Sequence, residues 1–344
     1  MRRRDAVGGG LALAACASMN AETQRPIVIA HRGASGERPE HTMGAYRLAI
    51  AQGADYIEPD LVMTRDGVLV CRHENEISGT TNVADHEEFL ARQCAKTVDG
   101  VTATGWWAED FTLAELKTLR CKERLPQLRP GNMAFDGQDQ IPTFAEALAL
   151  ALGSGVGIYP ELKHPTFLHD QGIDPLPAFL AAVHAGGGQR AADAMFVQCF
   201  EIGALQTLAQ MSSLHWSCIQ LIGASDGPWD RRDLTQADMT SDSGLLRIAE
   251  YARGIGVEKT LIIPRDAETR SAPQTDLIAR AHAAGLLVHA WTFRAENYFL
   301  PAELRVGANP AAHGDLASEL GMFAAAGVDG VFCDFPAAAV EARG

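Results

Sequence analysis

The chain has 344 residues, of which 47% are hydrophobic and 21% charged, and this composition excludes a largely disordered protein. The formal net charge of −14 argues against a general binder of nucleic-acid backbones. The length suits either one large α/β barrel with an insertion or two domains. Any phosphate that the protein handles is therefore expected to be bound locally, by a few cations or a metal ion.

The first residues have the pattern of an export signal. Three arginines at positions 2 to 4 precede about ten small or apolar residues, and Cys16 follows them. The stretch LAAC at residues 13–16 resembles a bacterial lipobox, in which the cysteine is lipidated and becomes the mature N-terminus. The alternative is an ordinary signal peptide that is cleaved near Ala17. We therefore predict an export signal with a candidate lipobox over residues 1–16, and a protein of the periplasm or cell envelope, with Sec and twin-arginine export both open.

After residue 25, short β-branched or apolar runs alternate with longer stretches rich in alanine and leucine. Eight short runs are predicted to be strands, at residues 27–31, 56–62, 157–163, 195–200, 216–222, 259–264, 286–292 and 330–335. Helices are predicted at residues 41–52, 143–152, 176–185, 201–211, 243–253, 273–284 and 315–326, with a last short one from 336. Eight such repeats favour a TIM (β/α)8 barrel over residues 26–344. No G-x-G-x-x-G follows the first strand, which argues against a dinucleotide-binding fold.

Residues 74–140 interrupt this alternation. They hold few apolar runs, one helix predicted near residues 112–119, and the pair Trp106 and Trp107. We predict a small insertion subdomain after the second strand, above one mouth of the barrel. The two tryptophans could pack inside this subdomain or line a substrate entrance.

Besides Cys16, six cysteines remain, an even number in a chain that is predicted to enter an oxidising compartment. The sequence has no C-x-x-C pair, which argues against a thiolate zinc site. Four of the cysteines lie in apolar runs and are predicted to be core residues. Cys94 and Cys121 flank a polar part of the insertion and are the favoured disulfide pair.

Acidic side chains lie at the predicted strand ends, where (β/α) barrels place their reactive groups. Glu58 and Asp60 are two residues apart on the second strand, so their side chains point to the same side. Two carboxylates this close raise each other's pKa unless a cation lies between them. Glu161, on the third strand, could supply a third carboxylate. Such oxygen ligands favour a site for Ca²⁺ or Mg²⁺, and salt-bridged acids at the barrel rim are the structural alternative.

Two cations and two histidines adjoin the predicted metal site. Arg32 and Lys163 can neutralise a phosphodiester and the extra charge of its transition state. His31 and His73 can take a proton from an attacking oxygen and give one to a leaving oxygen, because the pKa of imidazole is near neutrality. This combination predicts hydrolysis of a phosphodiester.

The motifs at these positions resemble the signature of the glycerophosphodiester phosphodiesterase family. Residues 29–73 carry His-Arg-Gly, then Pro-Glu-His-Thr, then Glu-x-Asp, and a histidine after the hairpin. The segments that look like the bacterial periplasmic subgroup are residues 157–174, 197–201, 249–256 and 331–336. The resemblance extends over residues 27–340, nearly the whole predicted mature chain.

The resemblance implies a TIM barrel with an insertion, a bound Ca²⁺ or Mg²⁺ ion, and cleavage of glycerophosphodiesters to glycerol 3-phosphate and an alcohol. Its acid/base histidines map onto His31 and His73, and its phosphate-binding cations onto Arg32 and Lys163. Its metal carboxylates map onto Glu58, Asp60 and Glu161. It further implies that Glu40 supports the site and that the walls around the glycerol or the leaving group are Gln198, Phe200 and Trp291. Core packing is the alternative role for Trp291.

Several alternatives stay open at this level. The family is thought to use the substrate's own glycerol hydroxyl as nucleophile, and direct attack by a metal-activated water is the other route. Action on intact phospholipids, as by sphingomyelinase- or lysophospholipase-D-like enzymes, and non-catalytic capture of phosphodiesters are competing functions. Residues 223–244 form a shorter connection than periplasmic relatives usually have, which leaves the head-group preference open. We expect a small-molecule substrate, no nucleic-acid partner, and membrane contact only through a lipid anchor at Cys16.

Overall fold

The computed structural model describes residues 25–211, 214–225 and 227–344. Within them, eight parallel strands close into a barrel with helices on the outside. The first strand, Ile27–His31, pairs with the last strand, Gly330–Cys333, on one side and with Tyr56–Glu58 on the other. This closure confirms the predicted TIM barrel. The predicted export signal and Cys16 lie outside the described residues.

The second and third strands of the barrel are each interrupted once. Their segments are Tyr56–Glu58 and Asp60–Met63, then Gly157–Ile158 and Glu161–Leu162. Pro59 and Pro160 lie in the interruptions, where a residue without a backbone N–H cannot donate to the sheet. Beyond the interruptions the strands pair again, and Asp60 lies directly opposite Glu161. The register therefore brings acidic residues of two strands side by side.

The other strands agree with the predicted order, with one exception. They are Phe196–Cys199, Ser217–Ile222, Gly254–Glu258, Leu287–Phe293 and Gly330–Cys333. The prediction of the sixth strand at residues 259–264 is wrong, because that strand is Gly254–Glu258 and a 3₁₀ turn, Lys259–Leu261, follows it. Glycine has low strand propensity and hides the strand from sequence analysis. Packing requires it here: a Cβ at position 254 would lie 2.7 Å from the carbonyl oxygen of Leu287.

Helices cover the outside of the barrel. Those that correspond to predicted ones are Met43–Ala51, Phe144–Ser154, Pro175–Ala185, Ile202–Met211, Asp242–Ala249, Leu277–Ala283, Leu316–Ala326 and Pro336–Arg343. Three further short helices, which the sequence did not predict, are Pro165–Asp170, Gln189–Asp193 and Gln236–Thr240. The helix at Phe144 begins with a capping box, in which Thr143 and Glu146 each accept a hydrogen bond from the other's backbone N–H. None of the described helices has both the length and the apolar character needed to cross a membrane.

The apolar interior has two main parts. The larger one fills the space between barrel and helices, where Phe144 and Phe179 stack with ring centroids 5.2 Å apart. A small cluster inside the barrel includes Ile29, Tyr159 and Phe332. This packing fixes the strands, and with them the side chains that extend from their carboxyl ends.

A return strand, Leu69–Cys71, pairs antiparallel with Asp60–Met63 and forms a hairpin on the second strand. The insertion that follows this hairpin has an apolar core of its own. It contains an antiparallel pair, Cys94–Val98 and Val101–Gly105, and a short helix, Leu113–Leu116. Trp106 and Trp107 are 7% and 2% exposed, and their indole N–H groups donate to backbone carbonyls at 2.7 and 3.0 Å. Both tryptophans are therefore packed inside the protein, and neither lines the entrance to the barrel.

The predicted disulfide between Cys94 and Cys121 is wrong. Both residues are free thiols with different neighbours. The Sγ of Cys121 is buried and accepts a hydrogen bond from Arg72 at 2.8 Å, whereas the Sγ of Cys94 lies 3.7 Å from a carboxylate oxygen of Asp110. The two cysteines flank a polar segment of the sequence, but the fold does not bring their thiols together. The remaining cysteines of the described chain are buried, as expected.

Candidate active site

A cavity of about 320 Å³ opens at the carboxyl ends of the barrel strands. Eight of the predicted site residues line it: His31, Arg32, Glu58, His73, Glu161, Gln198, Phe200 and Trp291. Asp60 and Lys163 lie next to them, almost fully buried. The fold therefore brings together residues from five barrel strands and from the hairpin on the second one.

Three carboxylates form the floor of the site. Glu58, Asp60 and Glu161 each offer an oxygen, and these oxygens all lie within 4.8 Å of one another. The residues are only 1%, 1% and 6% exposed. The cause is the strand register, which sets Asp60 opposite Glu161, while Glu58 ends the preceding segment of the same strand.

The charges of the protein alone do not balance these acids. Burial, and then the neighbouring Asp60 and Glu161, raise the pKa of Glu58 well above its usual value. Burial also raises the pKa of Glu161 to about 8, although Lys163 opposes this by donating to its carboxylate at 2.8 Å. For Asp60, burial acts in the same direction, but Lys163, His73 and the other neighbouring donors outweigh it and hold the pKa well below its usual value.

This donor set fits a hard divalent cation. Buried carboxylates that would otherwise hold protons are stabilised in their charged form by a cation between them. The amide of Gln198 donates to Glu58 at 3.0 Å, and its own oxygen is buried without a hydrogen-bond partner in the described part of the chain. The candidate ligand atoms of the three side chains are all carboxylate oxygens, which is the ligand type that Ca²⁺ and Mg²⁺ prefer.

Arg32 connects the first strand to the acidic floor. Its backbone adopts a left-handed conformation, with φ of 59°, and its N–H donates to Glu58 at 2.8 Å. Its guanidinium lies 3.3 Å from Asp60 and 3.1 Å from Glu40. Gly33 follows with φ of 86°, and a Cβ there would lie 2.8 Å from the backbone of Ala45. The His-Arg-Gly motif is therefore a requirement of the turn as well as of the chemistry.

The insertion reaches this arginine through a second arginine, Arg124. Its guanidinium donates to Glu40 at 2.6 and 2.7 Å and to Glu74 at 2.8 Å. Glu40 thus receives two guanidinium groups, and these hold its pKa well below the usual value although burial opposes them. Glu40 lies behind Arg32, where it can orient that side chain. Sequence analysis missed Arg124 because no motif marks it.

His31 is oriented by Asp334, which directly follows the last strand. The distance from His31 Nδ1 to the carboxylate is 2.6 Å. Because Asp334 is held ionised by Arg294 and Arg129, it must accept this bond, and Nδ1 must carry the proton. Burial, and then Arg32, lower the pKa of His31 to about 4, so Nε2 is left as an acceptor. Asp334 could have been found from its position at a strand end in the VFCDFP segment.

His73 borders the same cavity as His31 and Arg32 and is partly exposed. Its Nδ1 is 2.5 Å from the carboxylate of Glu74. Burial lowers the pKa of His73 to about 3, and Arg32 and Lys163 act in the same direction. Both histidines are therefore neutral, and each has a carboxylate on Nδ1 that can stabilise the charged form.

A third histidine, His41, also contacts the floor. It is completely buried and adopts φ of 51°. Its Nε2 lies 2.9 Å from Asp60, and its Nδ1 lies 2.8 Å from the hydroxyl of Tyr46. Sequence analysis noted this residue in the Pro-Glu-His-Thr motif but assigned it no role. The contact shows that His41 orients the carboxylate of Asp60.

Phe200 and Trp291 form an aromatic wall of the cavity. Their rings meet edge to face with centroids 5.9 Å apart. Trp291 is only partly buried, and it borders the cavity while it also packs against the small apolar cluster inside the barrel. Gln198, in contrast, lies beside the carboxylates and contacts Glu58.

Comparisons with known proteins agree with this geometry. The model of the glycerophosphoryl diester phosphodiesterase family matches residues 31–338. Glycerophosphodiester phosphodiesterase GDPD6 of Arabidopsis thaliana is 37% identical over 328 residues, which are 91% of this chain and 85% of that protein. The glycerophosphodiester phosphodiesterase of Haemophilus influenzae is 29% identical, over 96% of this chain and 94% of that protein.

A solved structure shares the fold. It is that of an Oleispira antarctica phosphodiesterase in complex with the product sn-glycerol-3-phosphate, with a TM-score of 0.61 and 22% identity over 92% of this chain and 96% of that chain. The barrel, the residues at its mouth and the match over nearly all of the described chain lead to one assignment. The chain belongs to the glycerophosphoryl diester phosphodiesterase family, and it is an enzyme that hydrolyses glycerophosphodiesters.

Proposed function

We propose that this enzyme cleaves glycerophosphodiesters to glycerol 3-phosphate and an alcohol, with a divalent cation at the three carboxylates and with His31 and His73 as acid and base. One observation carries the proposal: two neutral histidines, Arg32, Glu58 and Glu161 border the same cavity, and Asp60 lies beside the two acids. The Oleispira antarctica structure supports the product, because it holds sn-glycerol-3-phosphate.

The phosphate would bind between the acidic floor and the two histidines. Arg32 and Lys163 place positive charge there, and both are held charged by the carboxylates beside them although burial opposes this. Fixed cations that need not reorganise stabilise the charge that develops on a phosphoryl group. A phosphodiester is an anion, so it would also favour protonation of either neighbouring imidazole.

Glu58, Asp60 and Glu161 would hold the metal ion, and we propose Ca²⁺, with Mg²⁺ as the alternative. Ca²⁺ accepts several carboxylate ligands in irregular geometry, whereas Mg²⁺ demands a near-octahedral shell and keeps more of its waters. When bound, such an ion would neutralise charge on the phosphoryl oxygens. His41 would keep Asp60 in place for that role through its contact at 2.9 Å.

The proton transfers fall to the histidines. One imidazole would take the proton of the attacking oxygen, either the adjacent glycerol hydroxyl or a water, while the other gives a proton to the alcohol oxygen that leaves. With the glycerol hydroxyl as nucleophile, the first product is a cyclic phosphate, and the two histidines exchange roles when water opens it. Asp334 and Glu74, each on an Nδ1, would stabilise the charged imidazoles.

The remaining walls of the cavity favour a water-soluble substrate. Lys259, Arg265 and Arg294 border it on the side of the sixth and seventh strands. The acyl chains of an intact phospholipid would displace water from these charged groups, and this desolvation is unfavourable. A glycerophosphodiester carries no acyl chains, so it avoids this cost.

Replacement of either histidine should abolish most of the activity. We expect His31→Ala and His73→Ala each to lower kcat by roughly 10² to 10⁴, because a proton transfer loses its donor or acceptor. The measurement is release of glycerol 3-phosphate from glycerophosphocholine. His169→Ala is the matched control, since that histidine is exposed, lines no part of the cavity and should leave kcat unchanged. Normal turnover in either active-site variant, with an unchanged melting temperature, would remove that histidine from catalysis.

Removal of divalent cations should stop the reaction. We expect EDTA treatment followed by gel filtration to reduce the activity to background and added Ca²⁺ to restore it, with Mg²⁺ restoring less. Metal content is measured by atomic emission on the same samples. Full activity in a sample shown to be free of metal would contradict the proposed cofactor.

Glu58→Gln should separate metal binding from folding. In the absence of metal the carboxyl group of Glu58 favours its protonated form, and glutamine mimics that form in shape. We therefore expect the melting temperature without metal to stay the same or rise, and the affinity for Ca²⁺ to fall about tenfold or more. Calorimetric titration with CaCl₂ measures the second effect. The control is Glu268→Gln, at an exposed position outside the cavity, and equal affinity in both variants would exclude Glu58 as a ligand.

We also propose that the protein is exported and anchored in the cell envelope through Cys16, as in the bacterial periplasmic subgroup. Support comes from the arginines, the apolar stretch and the LAAC sequence within residues 1–16. In a bacterial host, the wild type should appear in the membrane fraction and incorporate radiolabelled palmitate, whereas Cys16→Ser should do neither. Unlabelled wild-type protein in the soluble periplasmic fraction would point to an ordinary signal peptide.

A further inference from the structure

A second cavity, of about 490 Å³, adjoins the candidate active site. Glu161, Phe200 and Trp291 line both cavities. The second cavity extends from this shared border toward the loops that follow the third, fourth and fifth strands. A molecule whose phosphate lies at the acidic floor can therefore place one of its two ester groups in this space.

Three aromatic side chains line the second cavity. Phe200 and Trp291 contribute from the shared border, and Trp229 contributes from the loop after the fifth strand. The guanidinium carbon of Arg232 lies 4.3 Å from the ring centroid of Trp229. This face of the indole thus already accepts a cation from the protein itself, and Arg232 is an exposed side chain that can move away.

The insertion holds Trp229 in place. The tip of its antiparallel pair, at Gly100, approaches so closely that a Cβ there would lie 2.9 Å from the indole ring. The preceding residue, Asp99, adopts φ of 49° and contacts His164, which adopts φ of 45°, at 2.8 Å. Left-handed conformations of such residues cost energy and persist where the surroundings impose them. The cavity is therefore built jointly by the insertion and the barrel loops.

Three acidic side chains, Asp99, Glu161 and Glu201, border the cavity, and burial raises the pKa of Glu201 to about 7. Glu201 is 4% exposed and accepts hydrogen bonds from the backbone N–H and the hydroxyl of Thr166. Asp99 has one carboxylate oxygen on His164, and its other oxygen is buried with no hydrogen-bond partner in the described residues. Arg232 is the one lysine or arginine that borders this cavity among the residues described.

On the opposite side of the active-site cavity, three basic side chains lie near Glu258 and are paired with Glu319 and Asp334. Lys259, Arg265 and Arg294 line it there. A substrate with one cationic end and one neutral end would therefore bind with the cationic end in the second cavity. The phosphate at the acidic floor and the neutral glycerol would occupy the first cavity.

We propose that the second cavity binds the leaving alcohol of the substrate and selects an alcohol with a quaternary ammonium group. The inference rests on the proposed function, since it names the substrate class of the same site. A quaternary ammonium has no N–H to donate, so it is held by ring faces and by the field of nearby carboxylates. Three aromatic side chains with Glu201 and Asp99 supply these features.

A pair of esters of equal shape tests the charge preference. The first is glycerophosphocholine, and the second carries a 3,3-dimethylbutyl group in which carbon replaces the ammonium nitrogen. We expect the wild type to hydrolyse the choline ester with a kcat/KM about tenfold higher, in the range of a desolvated cation–π contact. Trp229→Leu and Glu201→Gln should each reduce this ratio to below about threefold by lowering kcat/KM for the choline ester. In Glu201→Gln the amide oxygen can still accept a hydrogen bond from Thr166, so the substitution keeps this local contact.

The control is Glu268→Gln, at a position that lines neither cavity and should keep the wild-type ratio. Melting temperatures identify any variant that fails to fold. A readout without turnover is calorimetric titration with choline chloride and with 3,3-dimethylbutanol. Wild-type protein should bind choline about tenfold more tightly than the neutral alcohol, and Glu201→Gln should lose most of that difference.

The two hypotheses fail in different ways. If neither ester is hydrolysed, the proposed function is wrong. If both are hydrolysed with equal kcat/KM, the proposed function stands and the inference about the second cavity is overturned. A tenfold ratio that survives in both folded variants also overturns it, because the selection would then lie elsewhere.

Discussion

Three carboxylates are buried within 4.8 Å of one another at the mouth of this barrel. The electrostatic repulsion between them is the constraint to which the surrounding side chains respond. Water cannot screen charges at that depth, so each carboxylate must find a cation or a proton. Lys163 and Arg32 reach two of the acids, and His41 contacts Asp60, yet Glu58 and Glu161 still have raised pKa values. A divalent cation is the simplest partner that satisfies all three.

Further pairs extend outward from this centre and hold the reacting groups in place. Asp334 orients His31 and is itself held by Arg129, and Glu40 orients Arg32 and is held by Arg124. Both outer arginines come from the insertion, which therefore does more than cover the barrel. Its position also determines the second cavity, since the tip of its antiparallel pair touches Trp229. One inserted segment thus supports the residues of the candidate active site and also borders the second cavity.

Much of the site was predictable because barrels place reactive side chains at strand ends. Glu58, Asp60, Glu161, His31 and His73 could be assigned to one mouth from strand order and two-residue spacing alone. The residues that sequence analysis missed act across long separations: Arg124 and Arg129 lie in irregular segments without periodicity, and nothing in their neighbourhood indicates a partner 84 or 205 positions away. The wrong sixth strand has a similar cause, because its glycines oppose strand propensity and are explained only by the side chains packed against them.

The sequence by itself determined the barrel, the family motifs and the identity of the charged residues, because strand periodicity and short fixed spacings are local properties. Tertiary structure decided which cations meet which acids, left Cys94 and Cys121 apart, and buried both tryptophans of the insertion. These outcomes depend on distances between segments that are remote along the chain. Such distances follow from the packing of the whole molecule, and no local pattern encodes them.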